Sequence, residues 1–369
     1  MAGKFNHSSN GLAYIFFLSV FINGFEAGGY QACMISISKD FGLTDVLIGM
    51  IASAQLIAVL IGPIAFGTLA DRKGKKSVLI GFLTVRLGAC ALLFIASNSR
   101  WFAVGIFIVG LSISIIQSVS IAGLSDAYPL TGKKKIGILT CMYSLGAVTA
   151  PVICGKMLEA GVSWRMMFMA VGIMSIMIII LLSLTDLTKR ETVPVTLENG
   201  DIHINGLCKP SIIAILCIIM FVYVGVENGF AFFINSFIQD DIGSNKSYLA
   251  LSMFWLAMIP SRIICGYASR RKGMILLISA CAVTAMLLLI SFAHNGMTAI
   301  FICFALGFFS GAVYPNVLNF AADYSGNNTA TATGLITAST GLGGALITST
   351  FGWVSGIYGI RLAFDVLAV

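Results

Sequence analysis

The sequence is short of charge, short of proline and without a paired cysteine motif, and each shortage narrows what the chain can be. Only 10% of its 369 residues are charged, while 58% are hydrophobic and the mean hydropathy is +0.97. That leaves too little polar surface to cover a soluble globule of this length, so an integral membrane protein is expected. Seven prolines beside 39 glycines suit closely packed membrane helices rather than a disordered chain. The nine cysteines, Cys33, Cys90, Cys141, Cys154, Cys208, Cys217, Cys265, Cys281 and Cys303, form no CxxC pair and mostly sit inside apolar runs. They read as small packing residues, not as metal ligands or a disulfide framework. The sequence shows no nucleophile motif, metal cluster or phosphate loop, so an enzyme is not expected and no cofactor or metal is implied. Met1 to Asn10 is polar and the first apolar run is long enough to span, so no cleavable signal peptide is read.

A helix needs about 20 apolar residues to cross the hydrocarbon. Eleven such spans are expected: Leu12–Ile37, Leu47–Leu69, Ser77–Ser97, Trp101–Ala127, Ile136–Leu158, Met166–Leu184, Ser211–Ile238, Tyr248–Ala268, Met274–Ala293, Met297–Ala322 and Ala332–Trp353. The one long hydrophilic segment, 185–210, reads as a cytoplasmic linker between an N-terminal bundle, 1–184, and a C-terminal bundle, 211–369. Gly359 to Val369 begins a twelfth segment but amounts to about 16 Å of helix, too little to span. A truncated last helix is the expectation, with a natural eleven-helix chain as the alternative.

The net charge of +7 raises nucleic acid as a partner, but the basic residues cluster in short loops. With the N-terminus inside, fourteen of those residues fall on the cytoplasmic side, among them Lys75, Lys76, Lys133 to Lys135 and Arg270 to Lys272. Five fall outside: Lys39, Arg100, Arg165, Lys246 and Arg361. That asymmetry sets the N-terminus in the cytoplasm and explains the charge without nucleic acid.

The polar loop Gly67 to Lys76, G-T-L-A-D-R-K-G-K-K, lies between two apolar runs and must sit at a membrane surface. Its Gly67, Asp71, Arg72, Gly74 and Lys75 closely resemble the signature loop between the second and third helices of the major facilitator superfamily. A second copy, G-Y-A-S-R-R-K-G from Gly266 to Gly273, is displaced by 199 residues, with Arg270 where Asp71 stands. Two copies point to a chain of two similar halves. Gly146 to Gly155 and the Trp164, Arg165, Phe168 triplet resemble the fifth and sixth helices of the same superfamily. Y-V-G-V-E-N-G and G-A-V-Y-P-N resemble the fucose permease branch of sugar and proton symporters, whereas the first helix lacks that branch's Asn-Asp pair. The resemblance implies an all-α membrane fold of two six-helix bundles related by a pseudo-two-fold axis, with the first, fourth, seventh and tenth helices lining a cavity. A loop of this kind is expected to bias a conformational switch, or simply to anchor the topology.

Function should lie where polar groups sit at mid-depth, because a charge there needs a partner or an aqueous cavity. Glu26 in the first helix and Glu227 in the seventh are 201 residues apart, nearly equivalent places in the two halves. Both are candidates for proton coupling, since taking up a proton removes the cost of burying the charge. The alternative is pairing with Arg86, Arg262 or Lys156. Arg262 lies one turn from the second basic loop and is expected to snorkel to the surface. Glycines beside the two acids, Gly24, Gly28, Gly29, Gly225 and Gly229, are expected to let these helices bend or to leave room for solute. Candidate solute contacts are Asn23, Tyr30, Gln31, Gln117, Tyr223, Asn228, Asn235, Asn316 and Asn319, with Trp255 as a stacking face. Each serves equally well as a helix–helix hydrogen bond.

The reading is a proton-coupled secondary transporter of a small polar solute, such as a sugar, in the plasma membrane. Its partners would be the solute, a proton (sodium being open) and the bilayer, and a monomer is expected. The alternatives are an efflux antiporter for drugs or organic anions, and a non-transporting sensor or inactive truncated relic.

Overall fold

Helix starts are written locally in the sequence. Thr44, Asn98 and Asn295 cap the helices that follow them, accepting from the amides of Leu47, Trp101 and Met297 at 3.4, 3.1 and 2.9 Å. The computed structural model describes residues 10–128, 132–185, 209–244, 246–267, 272–324 and 329–368. Thirteen α-helices lie in that range. They are α1 (Asn10–Phe41), α2 (Asp45–Lys73), α3 (Lys75–Ile95), α4 (Ser99–Ala127), α5 (Gly132–Glu159), α6 (Arg165–Leu184), α7 (Pro210–Ser236), α8 (Ser247–Tyr267), α9 (Lys272–Ser291), α10 (Gly296–Gly311), α11 (Val313–Tyr324), α12 (Thr329–Tyr358) and α13 (Ile360–Ala368). A π-helical turn, Phe237–Asp241, extends α7. Among the described residues ten helical stretches are long and apolar enough to cross a membrane.

The expected tenth span is two helices. Pro315 lacks an amide hydrogen and its ring crowds the carbonyl four residues back, at Gly311, where α10 ends. The Asn316 side chain bonds the carbonyl of the intervening Ala312 at 2.8 Å.

Successive helices run up and down, so the chain has two faces. One carries residue 74, the turn after α4, the start of α7 and the ends of α8 and α11, and is called here the linker face. The other, the distal face, carries the turns at 42–44, 96–98, 160–164, 242–244 and 292–295. At the linker face α2 and α3 are joined by Gly74 alone, at φ 84°, a conformation strained for any residue with a Cβ. Lys75 then bonds the Ala122 carbonyl of α4 at 3.1 Å, and Lys76 the Thr185 carbonyl after α6 at 2.8 Å. Cations at helix C-termini also complement the helix dipoles.

Both halves carry the same clamp at the distal face. Arg165 at the start of α6 pairs with Asp40 at the end of α1 (2.7 Å), and bonds the Ala96 carbonyl after α3 at 2.9 Å. Arg361 at the start of α13 pairs with Asp241 at the end of the α7 extension (2.6 Å), and bonds the Ser291 carbonyl of α9 at 2.5 Å. Each guanidinium also covers an aromatic ring, Phe41 and Phe237 respectively. The two halves are thus similar in structure as well as in sequence.

Glycines set the helix spacing. A Cβ at Gly28 would lie 2.6 Å from the Ala147 carbonyl oxygen of α5, and one at Gly225 would lie 2.8 Å from that of Gly343 in α12. The helices α1 and α7 are continuous past the glycines beside the two acids; Gly24, Gly28 and Gly225 admit neighbouring backbones, while Gly29 and Gly229 face the side chains of Met167 and Leu367.

Candidate functional site

At mid-depth of α7, Tyr223 and Glu227 are one turn apart and share a face, and the tyrosine hydroxyl donates to the carboxylate. Arg262 of α8 places its positive charge against both. Its Nη1 crosses to α5 and donates to the Ser144 hydroxyl at 2.7 Å, while Nη2 lies 3.7 Å from the Met258 sulfur. Its Nε is buried without a hydrogen-bond partner. Arg262 therefore turns into the protein instead of snorkelling, because a serine and two ionisable groups lie within its reach. Tyr143 of α5 and Tyr314 of α11 sit within the field of the same two charges. Glu227, Arg262, Tyr143 and Tyr314 are all only partly buried. This cluster joins α5 of one half to α7, α8 and α11 of the other.

Glu26 has a different setting. It is fully buried, and its carboxylate oxygens accept from Gln55 Nε2 of α2 at 3.2 and 3.3 Å. Arg86 of α3, also fully buried, donates to Asn23 Oδ1, and Asn23 Nδ2 donates to the Ile113 carbonyl of α4 at 3.1 Å. The Arg86 charge opposes that of Glu26 across this cluster. These contacts stitch α1 to α4 together inside the N-terminal half.

Among the described residues three seams join the halves, and all run from the distal face to mid-depth. Between α2 and α12, Asp45 accepts from Ser355 at 2.6 Å, Ser53 and Ser349 share a hydrogen bond of 2.6 Å, and Leu60 lies against Gly341. Small residues permit that approach, since a Cβ at Gly352 would lie 2.6 Å from the Asp45 carbonyl oxygen. Between α5 and α8, Tyr248 covers Gly155, Ser252 bonds the Val148 carbonyl at 3.1 Å, and Tyr143 meets Trp255 edge-on. Between α1 and α7, Asn235 donates to the Gln31 carbonyl at 3.1 Å, and the Tyr30 and Phe232 rings meet at 5.3 Å. Trp255 adds a 3.4 Å bond to Gln31 Oε1.

The candidate solute contacts therefore fall into groups. Tyr223 and Asn228 lie beside Glu227, Asn228 bonding the Val224 carbonyl at 2.9 Å. Tyr30, Gln31, Asn235 and Trp255 belong to the distal seams, and Asn23 to the buried cluster. Gln117 is partly buried on α4, and Asn316 is fully buried at the α10–α11 break. The side chain of Asn319 lies outside the described residues, as do those of Gly67, Asp71 and Arg72 in the expected switch loop. Sequence reasoning missed Gln55, Ser144 and Tyr143. Ser144 and Tyr143 had a signal in Arg262, an intramembrane cation that required a partner.

Residues 16–348 match the family described as the Major Facilitator Superfamily. The glucose/mannose transporter GlcP of Bacillus subtilis is 23% identical over 350 residues, 92% of this chain and 86% of its own length. The sialic acid transporter NanX of Escherichia coli is 23% identical over 362 residues, 94% of this chain and 88% of its own. A bacterial homologue of the human lysosomal transporter Spinster, solved inward-facing and unoccupied, shares the fold with a TM-score of 0.77 at 13% identity, over 99% of this chain and 95% of that one.

Proposed function

This chain belongs to the major facilitator superfamily, and from that premise we propose that it is a proton-coupled secondary transporter of a small polar solute, with Glu227 as the group that carries the proton. The observation behind this reading is the placing of Glu227. It is a mid-depth carboxylate, partly accessible, in a cluster that, among the described residues, joins the two halves below the distal seams. Glu26 is sealed inside the N-terminal half and serves to hold α1, α2 and α3.

The excess of basic residues on the linker face supports placing that face in the cytoplasm. The described seams lie between the distal face and mid-depth, which supports reading this as an inward-open arrangement. Residues 1–184 and 211–369 rock as two bodies about those seams, with 185–210 as the tether. Protonation of Glu227 removes a negative charge that faces Arg262, which loosens the arginine's preferred position and lets the halves reorient with solute bound. A proton suits this site better than sodium, because a metal cation would meet a single carboxylate with a guanidinium beside it. Among the described residues there is no group of three or more His, Cys, Asp or Glu that would hold one. Gln117, Tyr143, Tyr223, Asn228 and Tyr314 supply donors and acceptors for a hydroxylated solute. The sugars named for GlcP and NanX support that class.

Efflux of amphipathic compounds is the second reading, favoured by the three tyrosines around the site. Both are tested in lightly buffered proteoliposomes. Solute-dependent alkalinisation outside, abolished by Glu227→Gln, supports symport at Glu227. Solute movement with unchanged proton dependence in Glu227→Gln removes Glu227 from the coupling step. Proton-driven extrusion of amphipathic cations would favour efflux.

A further inference from the structure

We infer that the solute carries a carboxylate, and that Arg262 is the residue that binds it. This deepens the proposed function and rests on its assignment of the central site.

A guanidinium offers five N–H donors in a planar fork that matches a carboxylate. At Arg262 one of these reaches a neutral serine, one lies near a thioether sulfur, the Tyr223 hydroxyl is within hydrogen-bonding reach, and Nε is buried without a partner. Among the described residues the ion pairs are Asp40–Arg165 and Asp241–Arg361, both at the distal face, so Arg262 has no carboxylate in contact. Glu227 is near enough for its charge to act on Arg262 without an ion-pair contact, and it accepts from Tyr223. A cation kept at mid-depth with donors to spare is costly unless something completes it. Glu227, three tyrosines and a serine surround it, on helices contributed by both halves. An anion entering from the linker face would meet the guanidinium where α5, α7, α8 and α11 converge.

Charge conservation in the cavity favours the same solute. With Glu227 ionised, the empty site sets one negative charge against the guanidinium and sums to zero. A carboxylate bound to Arg262 with a proton on Glu227 also sums to zero. A neutral solute with the same proton leaves the loaded site at plus one, and that charge would have to be carried through the closed intermediate. One carboxylate with one proton is therefore electroneutral in both directions. The tyrosines and amides beside Arg262 would hold hydroxyls on the same solute, which makes the class a polyhydroxy acid.

The test uses the full-length protein in proteoliposomes, with an acid-outside pH step and the membrane potential clamped by potassium and valinomycin. A panel of hexuronates and aldonates is compared with the parent aldoses, and affinities for the same compounds are measured calorimetrically on the purified protein. The acids are expected to bind about tenfold or more tighter than the aldoses, the value of a charged hydrogen-bonded contact. Their accumulation should not change when the clamped potential is altered. Arg262→Gln should abolish the preference for acids, and Arg262→Lys should keep part of it, because charge survives without the fork. Aldoses that bind as tightly as the acids, or an acid preference that survives Arg262→Gln, would overturn the inference. Proton-coupled uptake of a neutral aldose would overturn it while leaving the proton-symport reading intact. Acid binding that needs Arg262, without proton movement, would do the reverse.

Discussion

Arg262 of α8 donates to the Ser144 hydroxyl of α5 at 2.7 Å, so a charge on one half of the molecule is tied to the other half at mid-depth. This bond exists only while the two helices are close. Ser144→Ala removes the acceptor and leaves Arg262 in place. Ser144 is buried and its partner is charged, so the loss should be about 1.5 kcal/mol, the low end for a hydrogen bond to a charged group. That corresponds to roughly a tenfold shift of population away from the inward-open state. Spin labels at Arg100 and Lys246, both on the distal face, would report it as a larger fraction of long distances. An unchanged distance distribution would mean that the bond does not distinguish the two states.

The α2–α12 seam makes a sharper prediction. Ser53 Oγ and Ser349 Oγ are 2.6 Å apart, close enough for two cysteine sulfurs to bond. The double variant Ser53→Cys, Ser349→Cys should crosslink on oxidation, hold the distal face closed and abolish transport. Reductant should restore it. Each single variant should transport normally under both conditions. Full transport by the crosslinked protein would rule out rocking about this seam.

Much of the architecture was legible in the sequence, because crossing a membrane leaves a signal twenty residues long. The repeat was legible too, from two loops and two glutamates at nearly the same displacement. Depth along a helix could be counted, which placed Glu26 and Glu227 at mid-membrane. What could not be read was direction around each helix and the partner across it. Asn235 is on the same helix as Glu227 yet faces Gln31 at the distal seam. Gln55 is on a helix that was not expected to line the cavity, and it meets Glu26 within its own half. Arg262 was near a basic loop by residue count, and only its contact with Ser144 shows that it turns inward. The glycines were visible, but whether one bends a helix or admits a neighbour depends on what lies opposite. The α10–α11 break had a local cause, Pro315, hidden inside a continuous apolar run.

Gate residues and solute residues should separate in kinetics. Asn235→Ala removes the 3.1 Å bond to Gln31, and Trp255→Phe removes the 3.4 Å one. Asn235 lies at the distal seam, and Trp255 reaches the Glu227 cluster through the edge of Tyr143, where phenylalanine keeps a ring. Solute affinity of the inward-open protein should therefore stay within about twofold of wild type, while the rate of exchange between states rises as the distal seam weakens by roughly 1 kcal/mol per bond. Calorimetric affinity and counterflow rate measure the two effects separately. A loss of affinity of tenfold or more in Asn235→Ala would place it in the solute site instead.

The two glutamates should respond oppositely to the same conservative change. Entry of solute into wild-type vesicles should rise as the outside is made more acid, because the proton taken up by Glu227 there is released on the far side. Glu227→Gln is permanently neutral at that position, so its entry rate should be flat with outside pH, and it should equilibrate solute without accumulating it. In Glu26→Gln the amide oxygen still accepts from Gln55, so the proton dependence should persist with its wild-type sign. Its cost should appear in stability, since the buried Arg86 loses the negative charge opposite it, a change of several kcal/mol when a buried charge is left unopposed. Thermal unfolding in detergent would show this as a lower midpoint. A Glu26→Gln protein of normal stability whose uptake no longer responds to pH would move the coupling site to the N-terminal half, and it would make the accessibility of Glu227 irrelevant to the proton step.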